Sequence, residues 1–160
     1  MASLAKVFKF TLAELSVLLE AWFTFLKWDL LISFSQYDHW RSELSRLHNI
    51  NDSTTIDGVS PLSFEQTEKI KHIIKLSEIA GRFHIRKMNC LRRCISQEKM
   101  LKKRGIKTHM HIGVRFEDEK LKAHAWLTLQ GKIINDSADI STRYSELKAI
   151  SEQEILRHLK

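Results

Sequence analysis

Cysteine, proline and glycine are all scarce: two, one and five residues among 160. Two cysteines exclude a disulfide-stapled secreted scaffold, which relies on several bridges in place of a core. So little Pro and Gly excludes a collagen-like chain and a Pro/Gly-rich disordered one. There is no secretory signal with a small-residue cleavage site, so the expected compartment is the reducing cytoplasm. No uncharged stretch approaches the roughly 18 residues that span a bilayer. The most apolar segment is broken by Glu14, Glu20, Lys27 and Asp29. Internal repeats and low-complexity tracts are also missing.

What is present is an ordinary globular balance, 43% hydrophobic and 28% charged. That suffices for a real core and argues for one domain with a small appendage. Lys and Arg exceed Asp and Glu by 26 to 19, a formal charge of +7. A basic balance admits nucleic acid, acidic peptide or anionic membrane as partner and selects none of them.

Apolar residues from Leu12 to Phe34 recur at three- and four-residue spacings, which predicts a helix with a wide apolar face. A packed helix is the plain reading. The crowding of Trp22, Phe23 and Phe25 in one turn suits a docking face instead. A shorter amphipathic segment, Tyr37 to Leu47, follows, and Asn51 to Leu62 reads as a linker. The chain is therefore divided into an N-terminal helical arm, 1–50, and a main domain, 60–160. Ser63 and Gln66 form a capping-box pattern before a helix whose buried stripe is Ile70, Ile73, Ile74, Ala80 and Phe83. A second helix runs from Cys90 to Arg104, with Gly105 as its C-terminal cap. From Ile106 to Phe116 the period changes to two, giving a half-buried strand with His109 and His111 on the outer face. Leu121 to Leu129 and Lys132 to Ile134 read as two further strands joined at Gln130-Gly131. Ser151 and Glu154 cap a last short helix. Helices followed by an antiparallel sheet make an α+β fold.

Three residues form a chemically coherent set. Cys90 falls at a helix N-terminus, where backbone N–H groups and the macrodipole favour a thiolate. His124 lies in a strand between Ala123 and Ala125, which leaves room beside its ring. Asp136 follows on the partner strand. If cross-strand partners sum to 260, residue 136 faces 124; a two-residue loop at Gln130-Gly131 makes the sum 261 and sets Asp136 opposite Ala125. The set is thus expected to need a three-residue or bulged connection. In that register Cys90 is the nucleophile, His124 the general base and later acid, and Asp136 the group orienting the imidazole.

The run from Cys90 to Asp136 resembles the transglutaminase-like cysteine proteases of lasso-peptide biosynthesis, the microcin-processing leader peptidases. The similarity lies in Cys90-Leu91 opening a helix, the basic helix end Leu101 to Gly105, Ile112-Gly113-Val114, Ala123 to Trp126, and Asp136 after a hairpin. The resemblance implies a papain-related fold with the nucleophile-bearing helix on an antiparallel sheet. It implies removal of a leader peptide from a ribosomally made lasso precursor, with Cys90, His124 and Asp136 as triad and no cofactor or metal. It also implies partners: the precursor, a separate leader-recognition protein, and an asparagine-synthetase-like macrocyclase.

Other readings compete for the same residues. Cys94, one turn after Cys90, is expected to be a small buried residue, with a Cys90–Cys94 redox pair as the alternative. His109 and His111 could join the cysteines on zinc, but solvated strand histidines are the plainer expectation. Trp126 is either core or a shield for the imidazole. Arg82 to Lys107 holds ten Lys/Arg and one acid, Glu98, either a solvated face or a cradle for an acidic leader. Nucleic-acid binding is the alternative from another class, although no nucleic-acid motif is present, and an inactive peptide-binding scaffold is a third.

Overall fold

The computed structural model describes residues 10–34 and 62–146. The Tyr37–Leu47 segment, the linker up to 61, the boundary between arm and main domain and the final helix at Ser151 lie outside the described residues. The first helix, α1, spans Leu12–Phe34 and is apolar on both sides. Its inner side buries Ala21, Phe25, Trp28 and Asp29. Phe25 packs with Ala80, Met88 and Met100. Leu12, Leu19, Phe23, Leu30 and Phe34 are exposed. At 100° per residue these five fall within about 60° of one another, a narrow outer stripe.

α1 is held to the following helices by charge as well as by packing. Asp29 is fully buried and forms ion pairs with Arg86 and with Arg92, the latter at 2.7 Å. Glu20 meets Arg104 at 2.6 Å and Lys103 at 3.3 Å. Removing one member of a buried pair strands its partner, at a cost of about 3 kcal/mol. Asp29→Ala is therefore expected to lower the stability by about that amount, read as a fall in the urea midpoint at unchanged slope. An unchanged midpoint would mean that the Asp29 pairs contribute nothing to holding α1.

α2, Phe64–Arg82, starts with the anticipated capping box: Ser63 Oγ accepts from Gln66 N at 3.1 Å, and Ser63 N donates to Gln66 Oε1 at 2.9 Å. Its buried stripe is Ile70, Ile74, Leu76, Ser77 and Ala80. Phe83, expected in that stripe, is instead exposed. It is the C-cap residue, where the backbone leaves the helical repeat and turns the ring outward.

α3, Cys90–Lys102, lies at the centre of the fold and touches α1, α2 and the strands His109–Glu117 and Lys120–Leu129. It stops two residues before the expected Arg104. Gly105, at φ +74°, closes it with a Schellman motif: Ile106 N–H reaches Leu101 O and Gly105 N–H reaches Lys102 O.

The sheet has the order β3-β2-β1-β4, all antiparallel. β1 is His109–Glu117, β2 Lys120–Leu129, β3 Lys132–Ile133 and β4 Ser145–Glu146; a single helical turn, α4, covers Ile140–Arg143. The turns Asp118-Glu119 and Gln130-Gly131 have positive φ at both central residues, the geometry that matches hairpin twist. Met110, Ile112, Ala125 and Leu127 face Cys94 of α3. The molecule is α+β, as expected.

The outer face of β1 is solvated at His109, as anticipated, but only partly so at His111. There Trp126 is buried and its ring stacks on His111 at 5.6 Å. His111 is hydrogen-bonded through Nδ1 to Glu146 and through Nε2 to Thr128. The alternation in β1 resembles that of a one-sided strand, but the Tyr144 side chain returns over its polar face, and β4 pairs along its edge and brings Glu146 to His111. Gly113 makes room for this layer. A Cβ there would sit 2.9 Å from the Trp126 ring and 2.9 Å from Tyr144 Cβ. Gly113→Ala should therefore cost about 1–3 kcal/mol through overpacking, seen as a lower thermal midpoint. No loss would show that the outer layer is loosely packed.

Candidate active site

The ladder between β2 and β3 has the register that the sequence argument took to be unsuitable. Thr128 pairs with Ile133 and Leu129 with Lys132, so partners sum to 261 and the loop has two residues. The expected three-residue or bulged connection is absent. The displacement comes later, after Ile134. Ile134 N–H still bonds Leu127 O at 3.0 Å, but Leu127 N–H goes to the Asn135 side-chain oxygen, at 2.7 Å, and not to the Ile134 carbonyl. The chain leaves the ladder there, and Asp136 is carried away from its place opposite Ala125 toward His124.

His124 Nε2–H donates to Asp136 Oδ2 at 2.7 Å. Asp136 Oδ1 accepts from Ser137 N at 2.7 Å and from Ser137 Oγ at 3.3 Å. Burial works to raise the Asp136 carboxyl, but the bonds from His124 and Ser137 together outweigh it and hold the group below its ordinary value. The carboxylate is therefore ionised at neutral pH and only accepts, which fixes the His124 proton on Nε2. That leaves Nδ1 as the basic nitrogen. Among the described residues Nδ1 has no hydrogen-bond partner. The Tyr144 ring stacks on the imidazole at 5.2 Å, with the Arg115 guanidinium 4.8 Å from the centre of the Tyr144 ring.

Cys90 is half-buried and opens α3. Asn89 caps that end, accepting from Arg92 N at 3.0 Å. Cys94 Sγ donates to Ala125 O at 3.1 Å. By the two-residue repeat of the strand, that carbonyl points the same way as the polar groups of Leu127, toward the side that β3 has left. Cys94, in the second turn of α3, thus lies at the open edge of β2 on the Ala125 and Leu127 face, whereas the His124 ring alternates onto the opposite face with Tyr144. Among the described residues no hydrogen bond joins Cys90 to His124; such contacts commonly tighten only when substrate is bound.

Cys94 is fully buried, and desolvation pushes its thiol up to about 12. That makes it an inert packing residue and not half of a redox pair. Among the described residues no group of three or more His, Cys, Asp or Glu could hold a metal ion. The basic stretch is neither a free cradle nor a solvated face throughout: Arg86, Arg92, Arg93, Lys103 and Arg104 are paired with Asp29, Glu78 and Glu20.

Three contributors were missed in the sequence. Tyr144 lies outside any motif. Asn135 follows the last expected strand residue, Ile134, and Gln97, within the basic stretch, is fully buried. Only the adjacency of Asn135 to Asp136 hinted at a break in the ladder.

Comparison with protein families matches residues 38–149 to the model described as the transglutaminase-like superfamily. Neither the curated proteins nor the solved structures yield a match. Among the described residues no helix is long and apolar enough to cross a membrane. The superfamily commonly contains cysteine peptidases and transglutaminases, chemistries that need a thiol at a helix start and a strand-borne His–acid pair. With seven-tenths of its length inside the matched region, and with those elements in that order, this chain belongs to the transglutaminase-like superfamily.

Proposed function

We propose that this protein is a cysteine protease that removes the leader peptide from a ribosomally made lasso precursor, with Cys90, His124 and Asp136 as its triad. The observation that carries the reading is the His124–Asp136 bond, which leaves Nδ1 as the basic nitrogen of the imidazole. The leader-peptidase assignment rests on the sequence resemblance from Cys90 to Asp136.

The chemistry follows from the atoms. His124 Nδ1 takes the Cys90 proton, and the thiolate attacks the carbonyl carbon of the scissile bond. The Cys90 amide, at the open start of α3, donates to the developing oxyanion. Collapse breaks the C–N bond, and His124 gives its proton to the departing amine of the core peptide. The leader stays on Cys90 as a thioester. Water, deprotonated by His124, then releases it and restores the thiol. Asp136 holds the imidazole in one tautomer and balances its charge throughout.

The proposed setting is the reducing cytoplasm, where a separate leader-recognition protein delivers the precursor and an asparagine-synthetase-like macrocyclase acts afterwards. The outer stripe of α1 is the proposed contact for the recognition protein, since among the described residues it is the largest run of exposed apolar residues on one helix. Delivery raises the local substrate concentration without any new catalytic contact. Phe23→Glu tests this better than a change at Trp22, whose ring packs on His84 at 5.0 Å. Phe23→Glu is expected to lower cleavage about tenfold or more with the recognition protein present and to leave the slow unassisted rate unchanged. Equal loss in both assays would remove α1 from the contact.

A further inference from the structure

Between α3 and the sheet runs a chain of side-chain amides that the proposed chemistry does not use. Asn135 Nδ2 donates to Gln97 Oε1 at 2.8 Å and to Cys94 Sγ at 3.2 Å. Gln97 Nε2 donates to Ser77 Oγ at 3.0 Å and to Glu78 Oε1 at 2.7 Å. Glu78 in turn takes Arg93 Nη1 at 2.6 Å. Gln97 and Ser77 are wholly buried.

The ladder gives this chain its meaning. In the 261 register Leu127 and Ile134 are an exchanging pair, and two backbone bonds are due between them. One is made. The other is replaced by the Asn135 side chain, whose oxygen occupies the place of the Ile134 carbonyl. Had the ladder continued, Asp136 would stand opposite Ala125 on the α3 side, out of reach of His124. The Asn135 amide is held from behind, because Gln97 fixes its nitrogen and so fixes which atom faces Leu127 N–H. Gln97 has no rotameric freedom of its own while Ser77 and Glu78 hold its nitrogen.

We infer that Asn135, clamped by Gln97, is a positioning residue that breaks the β2–β3 ladder one residue early and thereby sets the Asp136 carboxylate against His124. The inference rests on the proposed triad and adds a residue to it that touches neither substrate nor reacting atoms. Its consequence is specific. Loss of Asn135 lets Asp136 slip back toward its ladder position, so the enzyme loses what Asp136 provides and nothing more. KM is set elsewhere and stays within about twofold, while kcat falls.

The test is a double-mutant cycle on precursor cleavage, in the presence of the leader-recognition protein, with Asn135→Ala, Asp136→Asn and the two combined. Asn135→Ala should lower kcat by about 10²-fold, and the double variant should be no slower than Asp136→Asn alone. A side chain that merely supports the fold would instead multiply its loss onto that of Asp136→Asn. Asn135→Asp, which keeps the oxygen for Leu127 N–H and loses the donor to Gln97, should fall between wild type and Asn135→Ala. If Asn135→Ala does not fold, Asn135→Asp carries the same cycle. Wild-type kcat in Asn135→Ala, or multiplying losses in either cycle, overturns the inference. Cys90→Ala run alongside separates this from failure of the triad itself. If Cys90→Ala cleaves like wild type, the underlying reading fails; if it is dead while Asn135→Ala is fully active, only the positioning role does.

Discussion

Cys90→Ala is expected to abolish leader cleavage, with a loss of about 10⁴-fold or more in kcat and an unchanged fold. Nothing else in the described structure can supply the sulfur. Cys94 is fully buried, its thiol is pushed up to about 12, and its hydrogen is committed to Ala125 O. Cys94→Ala should accordingly keep most of the activity and cost about 1 kcal/mol of stability through the lost hydrogen bond. Mass spectrometry of precursor digests reads both variants. Robust cleavage by Cys90→Ala, or a dead Cys94→Ala of normal stability, would reverse the assignment.

The second large effect belongs to the proton-transfer pair. His124→Ala should remove cleavage almost completely, because the proposed mechanism routes the proton through His124 in both half-reactions. Asp136→Asn should keep the fold and lose about 10⁴-fold in kcat, since an amide can hold the imidazole in the wrong tautomer. The control is Asp139→Asn. Asp139 meets Arg143 at 3.2 Å, and among the described residues no hydrogen bond or ion pair joins it to His124, so its variant should retain near-normal rates. An impaired Asp139→Asn beside an unimpaired Asp136→Asn would mean that the wrong carboxylate had been assigned.

Local signals carried much of this. Ser63 with Gln66 and Gly105 after α3 act within a turn of themselves, so those helix ends could be read directly. The period change at β1 was equally plain, since alternation is a backbone property. The second layer over the sheet could not be read the same way. Trp126 is buried and His111 half-buried on the face where Tyr144 returns, some thirty residues after β1, and alternation says nothing about what returns to cover a face. The approach of Asp136 to His124 was anticipated for the wrong reason. Register arithmetic assumes an unbroken ladder, whereas a side-chain oxygen at Asn135 takes the place of a backbone carbonyl. The basic stretch misled similarly: its arginines looked available because their acidic partners, Asp29 and Glu20, lie more than fifty residues earlier on α1.

The central claim is that leader removal passes through a thioester on Cys90. The direct measurement is an acid quench of wild-type protein during turnover, with precursor and recognition protein present, followed by intact mass and peptide mapping. The expected result is a fraction of the protein heavier by the leader acyl group, with the adduct on the peptide containing Cys90, lost on hydroxylamine treatment and absent from Cys90→Ala. Cleavage with no adduct at any quench time, together with undiminished cleavage by Cys90→Ala, would contradict it.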